Sequence, residues 1–351
     1  DVAVQTAGDG GIFAIGTVST AASRFFSKAV FLFALSAIFA GFAFSVRRFY
    51  AAGIVPKKIW IRAGSFLIPV MLLLSVCFSQ QLYPFGQKTF FVADMEQMYS
   101  DMLAYLKTQT AENNDLFYSF SKNLGGDMLS PFAFYVANPI NFAAALFQKQ
   151  DLPKFVSWLI ILKIGLAGFT GNLFLSRKQK ESFSTLIFST CYALMAYNAV
   201  NTENIHFLEG PILLPLVALG IERIIEQKRP FLYICSLFAL LAVNFYQGYM
   251  VCIFAVLFFG FLLLAREEKF TFARFRAVGA QFLLSSILAA GGSAFLLLPT
   301  FVKLLNGTKS FSPSGLSFSV NFPFPDFFSK FFTGAHNEYE VVNGLPPVFS
   351  G

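Results

Sequence analysis

Carboxylates, a histidine and amides occur where long apolar stretches of this chain begin or end. Asp94 and Glu96 follow a strongly apolar stretch, and Glu203, His206 and Glu209 lie in a turn that runs into another one. Because unpaired charge is costly within an apolar segment, we expect some of these side chains to face a polar cavity. In such a cavity a carboxylate could act as a general base, and the other groups could bind a polar substrate.

The same acids also have structural explanations. Asp94 and Glu96 begin a predicted helix, where capping and the helix dipole favour carboxylates. Glu203 fits a wet turn at the membrane surface equally well, whereas His206 and Glu209 lie deeper. The sequence alone leaves both interpretations open.

Two further features carry polar groups into apolar surroundings. In the run Asn244–Met250, Tyr246 and Gln247 could hold sugar hydroxyls while rings stack on a sugar face, although an ordinary aromatic belt would have the same composition. Lys163 lies deep inside an apolar stretch and therefore requires an anionic partner. That partner could be a carboxylate of the protein or the phosphate of a lipid.

The elements that must position these residues are predicted to be membrane-spanning helices. The chain has 351 residues, of which 56% are hydrophobic and 13% charged, whereas soluble domains carry about 25% charged residues. Apolar runs long enough to span a bilayer occur at 28–47, 62–83, 153–176, 182–199, 205–221, 231–248, 250–265 and 278–304. The composition therefore predicts an all-α polytopic membrane protein.

Basic residues fall in alternate connections between these runs. The clusters are Arg47, Arg48, Lys57, Lys58 and Arg62; Arg177, Lys178 and Lys180; Arg223, Lys228 and Arg229; and Arg266, Lys269, Arg274 and Arg276. The positive-inside rule assigns such connections to the cytoplasm, so the loops that hold the acids face outward. The net charge of +7 thus indicates topology, and no nucleic-acid partner is expected.

The outward segment 84–152 is too long for a simple connection and is predicted to contain helices that lie on the membrane. Apolar residues recur in it at helical spacing. They are Met95, Met98, Tyr99, Met102, Leu103 and Leu106. Residues 131–147 are predicted to form a second such element.

A set of short motifs follows in order along residues 62–351. They are Tyr83-Pro84-Phe85-Gly86, Asp94, Gln97, Tyr99, Tyr118-Ser119-Phe120, Leu124-Gly125-Gly126, Asn138-Pro139-Ile140-Asn141, Leu162–Gly168, Asn244–Met250 and Asn343–Pro347. With these motifs, residues 62–351 resemble the bacterial YfhO membrane-protein family. Proteins of this family are similar to the GT-C class of glycosyltransferases, which take a sugar from a polyprenyl-phosphate carrier outside the membrane.

The resemblance implies a domain organisation. Residues 62–304 would form a seven-span GT-C-like module, 1–61 an N-terminal segment with one extra span, and 305–351 the start of an extracytoplasmic region. Family members usually continue into a large outer domain, and this chain begins with Asp1 rather than Met. We therefore expect it to be an excerpt of a longer protein.

The resemblance also implies an activity. In the GT-C class the essential acid lies on the first outer loop, a place that Asp94 matches. Asp94 would act as the general base in an inverting transfer to a cell-envelope polymer such as teichoic acid, at the outer face of the bacterial cytoplasmic membrane. The leaving phosphate would be met by Lys163, Lys154 or His206, or by a divalent cation, Mg²⁺ or Mn²⁺, held between Asp94 and Glu203 or Glu209.

The remaining candidate residues would orient the sugar or the acceptor. They are Glu96, Gln97, Tyr99, Tyr246 and Gln247. An alternative function is a transporter or flippase for a lipid-linked sugar, because polar residues at the ends of spans also mark substrate pathways.

Overall fold

The computed structural model describes most of the chain between residues 57 and 305. The described residues are 57–91, 95–112, 117–120, 122, 125–265 and 271–305, with single positions between 40 and 52. Most of the predicted span 28–47, residues 306–351, Asp94 and the side chain of Gln97 lie outside them.

The chain divides into two compact units, residues 1–56 with 72–88 and residues 57–71 with 89–351. The described part of the first unit ends in a tight turn, in which the Phe85 N–H donates to the Leu82 carbonyl over 2.9 Å. The rings of Phe78 and Phe85 pack edge to face across this turn, with 5.7 Å between their centroids. The candidate site residues belong to the second unit.

The described structure is almost entirely helical. The α-helices are α1 Lys57–Gln80, α2 Ser100–Glu112, α3 Leu129–Pro131, α4 Leu152–Gln179, α5 Phe183–Ala193, α6 Ala196–Val200, α7 Glu209–Ile225, α8 Phe231–Val243, α9 Phe245–Leu264, α10 Phe272–Gly292 and α11 Ala294–Leu305. Short helices of other types are Met95–Tyr99, Phe132–Val136, Pro139–Leu146, Lys149–Asp151 and Ile205–Leu208. Two short antiparallel strands, β1 Tyr118–Ser119 and β2 Gly126–Asp127, complete the described elements.

Five stretches of the described chain are helical, long and apolar enough to cross a membrane. They are Lys58–Gln80, Lys149–Gln179, Phe183–Val200, Phe245–Leu264 and Phe272–Gly292. Shorter apolar helices occur at Phe231–Val243 and Ala294–Lys303. The predicted fold class, an all-α polytopic membrane protein, is confirmed.

Local signals explain where several of these helices begin and end. Pro153 lies in the first turn of α4, where its missing N–H costs nothing, and Arg177 and Lys178 lie in the last turn, next to the negative end of the helix dipole. Ser182 and Thr185 form a capping box that starts α5.

Several of the predicted spans differ from the helices of the structure. The chain breaks at Asn244 rather than near residue 249, because the Asn244 side chain accepts from the Gln247 N–H and starts α9. The predicted span 278–304 is divided at Ser293, after two glycines that weaken a helix. The predicted span 205–221 begins as the 3-10 turn Ile205–Leu208 and continues as α7 to Ile225.

The apolar core of the second unit lies between α7, α8, α9 and α10. Its fully buried members include Val217, Ile221, Ile224, Tyr233 and Leu240. In the long loop, residues 84–152, the predicted apolar stripe along Met95–Tyr99 and α2 is largely confirmed. Met95, Tyr99, Leu103 and Leu106 are buried, whereas Met98 is exposed. This stripe packs on protein, in part on the segment Pro139–Leu146, and its placement at a membrane surface stays a prediction.

Candidate functional site

A buried ion pair joins the middle of α4 to the start of α7. Lys163 Nζ lies 2.6 Å from Glu209 Oε1, and the two side chains are only 1% and 7% exposed. Lys163 also donates to the Ile205 carbonyl over 2.9 Å, and the Asn138 amide donates to the same Glu209 oxygen. The internal anionic partner that the sequence requires for Lys163 is therefore present.

Glu209 is the first residue of α7. Backbone N–H groups at a helix start have no partner within the helix, and the dipole there favours negative charge. The Glu209 side chain is thus bound by Lys163 and Asn138 at the start of this helix.

His206 lies beside this pair, in the 3-10 turn Ile205–Leu208 that precedes α7 and outside the five membrane-crossing stretches. Its Nδ1 is hydrogen-bonded to the hydroxyl of Tyr99. The His206 side chain is buried, with 4% of its surface exposed, so the Tyr99 hydroxyl satisfies a ring nitrogen that water cannot reach.

Aromatic rings enclose His206 on several sides. The centroids of Phe207, Phe134 and Tyr135 lie 4.1, 4.6 and 5.7 Å from that of the imidazole. Phe134 and Tyr135 belong to the turn Phe132–Val136. The turn before α7 is therefore packed against the long loop 84–152, at the end of the bundle where Glu209 lies.

Gln247 and Asn244 fix the start of α9 to the same turn. The Gln247 amide donates to the Tyr197 hydroxyl and to the Phe207 carbonyl, each over 2.7 Å, and its oxygen accepts from the Gly210 N–H over 2.6 Å. Asn244 donates to the His206 carbonyl over 2.8 Å. The Gln247 amide is thus engaged by protein groups, and its place in the site is to support the first turn of α7.

An apolar groove runs beside the first turn of α7, next to Glu209. Its volume is about 390 Å³. It is lined by Tyr192, Met195, Tyr197, Gly210, Pro211, Leu214, Gln247, Met250 and Val251. The buried polar groups around Glu209 and the apolar groove lie side by side. This arrangement suits a ligand with a polar head group and an apolar chain.

The other predicted site residues of the described part of the chain are more exposed to solvent than Tyr99, Lys163, His206, Glu209 and Gln247. Glu96 is exposed and Glu203 is half-buried. Tyr246 is 42% exposed, with its ring against Phe207 at a centroid distance of 6.0 Å. Lys154 pairs with Asp151 over 2.6 Å at the surface.

Sequence reasoning gave no role to Asn138 and Tyr197. The usable signal for Asn138 was the dipeptide Asn138-Pro139, since an N-cap asparagine followed by proline marks a helix start. Its Oδ1 indeed accepts from the Ile140 N–H over 3.0 Å, while its Nδ2 is free to reach Glu209. Tyr197 gave no comparable signal.

No group of three or more His, Cys, Asp or Glu side chains that could hold a metal ion occurs among the described residues. Asp94 is not one of these residues. A divalent ion held by Asp94 with Glu203 or Glu209 stays a prediction.

The fold and this polar cluster define a multi-pass helical membrane protein with a built, partly apolar site at one end of its bundle. The chain belongs to the YfhO family. The family described as "Bacterial membrane protein YfhO" matches residues 65–351, which confirms the resemblance carried by the motifs.

A relative from Bacillus subtilis (strain 168), "Uncharacterized protein YfhO", is 26% identical over 214 residues. The match covers 56% of this chain and 24% of that protein, so the chain spans about a quarter of its relative's length. No solved structure matches the chain.

Proposed function

We propose that the chain is part of a GT-C-type glycosyltransferase that moves a sugar from a polyprenyl phosphate to a cell-envelope polymer. The observation that supports this best is the neighbourhood of the Lys163–Glu209 pair, where buried polar groups adjoin an apolar groove of about 390 Å³. A polyprenyl-phosphate sugar has a matching division between a polar head and an apolar chain. The activity of the complete protein is part of the proposal, because this chain spans only part of its relative.

In the proposed reaction the Asp94 carboxylate takes the proton from an acceptor hydroxyl. The acceptor oxygen forms a bond to the anomeric carbon on the face opposite the phosphate, and the bond from that carbon to the phosphate oxygen breaks. The polyprenyl phosphate leaves with the electron pair, and the configuration at the anomeric carbon inverts. A positioned base of this kind contributes about 100- to 10,000-fold to a rate.

The described residues have supporting roles in this proposal. Lys163 and Asn138 both bind Oε1 of Glu209, which within the described part of the chain leaves Oε2 to accept from a sugar hydroxyl. The exposed ring of Tyr246 would stack on a sugar face. Lys163 is already paired, so its main role is to hold Glu209 rather than to meet the leaving phosphate.

Reconstituted protein supplied with a radiolabelled polyprenyl-phosphate sugar and envelope polymer tests the reaction. We expect transfer of label to the polymer and a loss of about 100-fold or more in Asp94→Asn. Asp101→Asn, which changes an exposed acid of α2, is the matched control and should retain the parent rate. Movement of the lipid-linked sugar across the membrane without any transfer to the polymer would indicate that the protein is a carrier and not an enzyme.

The groove can be tested separately. Met250 lines it, whereas Ile253 of the same helix is 47% exposed and not part of its lining. Met250→Trp should slow transfer from a long-chain donor more than from a short-chain analogue, while Ile253→Trp should affect both equally. If Met250→Trp slowed transfer from both donors equally, the groove would not be the binding site of the prenyl chain.

A further inference from the structure

A second cavity lies at the ends of α4 and α7, away from the Lys163–Glu209 pair at the start of α7. Its volume is about 660 Å³. It is bounded by the first residues of α1, the end of α4, the end of α7 and the start of α8. Its polar lining is made by Lys58, Arg62, Ser176, Arg177, Lys180, Glu181 and Arg223, and its apolar lining by Leu173, Leu216, Leu219 and Leu232.

The cavity carries an excess of positive charge. Its one carboxylate, Glu181, is paired with Arg62 over 2.8 Å, and Arg177 is paired with Glu226, which lies outside the lining. Among the described residues, Lys58, Lys180 and Arg223 have no carboxylate within ion-pair distance. Cations that line one concave site without internal partners attract an anion.

The anion that fits this cavity has an apolar part. The four leucines of the lining lie on α4, α7 and α8. A phosphate would be met by the cations, and an attached acyl chain would follow the leucines. Basic pockets between transmembrane helices bind phospholipids in this way, with the head group at the cations and the acyl chain along apolar side chains.

We propose that this cavity binds the phosphate head group of an anionic phospholipid from the leaflet at the basic end of the bundle. Arg223 is half-buried and belongs to the last turn of α7, so it fixes the phosphate at the cavity wall. Lys180 and Lys58 are exposed at the rim and close over the head group. This site is independent of the proposed glycosyl transfer and lies away from the groove beside Glu209.

The test measures lipid binding to the purified chain in uncharged detergent by native mass spectrometry. Phosphatidylglycerol, phosphatidylcholine and inorganic phosphate are the probes. We expect phosphatidylglycerol to bind more tightly than phosphatidylcholine, and Lys180→Gln with Arg223→Gln to weaken phosphatidylglycerol binding by about tenfold or more. Inorganic phosphate at equal concentration should not displace the lipid.

The matched control removes the same charge from the same end of the bundle but outside the cavity, by Arg229→Gln with Arg276→Gln. It should leave binding within about twofold of the parent. Lys180→Glu is a second variant at an exposed position, which is expected to fold and to weaken binding at least as much as Lys180→Gln.

Three results would overturn the proposal. Equal weakening in the control and cavity variants would mean that surface charge alone attracts the lipid. Equal binding of phosphatidylcholine would remove the requirement for an anion, and displacement by inorganic phosphate would identify a site for the free ion.

Discussion

Lys163 and Glu209 form an ion pair that is almost completely removed from solvent. Transfer of either charge from water into an apolar interior is costly, and their mutual attraction compensates only while both are present. The Ile205 carbonyl and the Asn138 amide complete their hydrogen bonding. The pair therefore holds α4, the turn before α7 and the long loop in one arrangement.

Removal of one member of this pair should be more harmful than removal of both. Lys163→Met leaves Glu209 buried without its cation and should lower the free energy of unfolding by about 3–5 kcal/mol. Adding Glu209→Gln removes the second charge and keeps an acceptor for Asn138, so the double variant should recover about 2 kcal/mol. Unfolding of the purified variants in mixed micelles, followed as a double-mutant cycle, measures this coupling.

The exposed pair of Lys154 and Asp151 is the control for the cycle, because its members are 50% and 29% exposed. Lys154→Met with Asp151→Asn should show a coupling below about 1 kcal/mol. If the Lys163 and Glu209 substitutions were simply additive, the pair would not be a cooperative unit.

The sequence predicts that Lys163 needs an anionic partner, but it does not identify that partner. A lysine deep in an apolar run requires an anion, yet which carboxylate approaches it depends on how α4 and α7 pack. Gln247 is the opposite case. Its type and position suggested a free amide for a ligand, but three protein groups use that amide. Such partners are invisible until the chain is folded.

Among the helices, the apolar runs gave the approximate positions but not the breaks. The predicted span 231–248 runs through Asn244, and the break there depends on two hydrogen bonds of that side chain. Ser293 follows Gly291 and Gly292, which are poor helix formers, but the sequence does not show that all three act together. Helix ends set by single side chains are the part of this fold that periodicity predicts least well.

Asn244 should be important for stability because it is fully buried and caps α9. Asn244→Ala removes the bond to the Gln247 N–H and leaves the His206 carbonyl without its donor. We expect a loss of about 2–3 kcal/mol in the free energy of unfolding. Thr271→Ala is the control, because Thr271 precedes α10 without a side-chain cap; a similar loss there would show that capping is not the cause.

Gly168 permits the close approach of α4 and α1. A side chain at this position would overlap the Ser65 carbonyl oxygen, which is backbone and cannot turn away. Gly168→Ala should therefore force the helices apart and cost about 1–3 kcal/mol. Gly260 of α9 has open space around it, so Gly260→Ala should be neutral or slightly stabilising by helix propensity. Thermal unfolding of both variants in detergent measures the difference, and equal stability would argue against tight packing.

At the scale of the molecule, the two ends of the second unit differ in charge. The ion pair, the amides and the apolar groove lie near the start of α7, whereas the cavity lined by Arg177 and Arg223 lies at the ends of α4 and α7. The positive-inside rule predicts that the basic end faces the cytoplasm. The proposed transfer and the proposed lipid site would then be on opposite sides of the membrane.

The two ends of α4 provide a matched test of this orientation. Gln150 precedes the helix and Gln179 ends it, and both are exposed. In intact bacterial cells that express the chain, a membrane-impermeant maleimide should label Gln150→Cys, whereas Gln179→Cys should be labelled only after permeabilisation. The parent chain, whose four cysteines lie in apolar stretches, gives the background. Labelling in the reverse order would place the basic cavity outside, and the polar cluster could then no longer meet an extracytoplasmic acceptor.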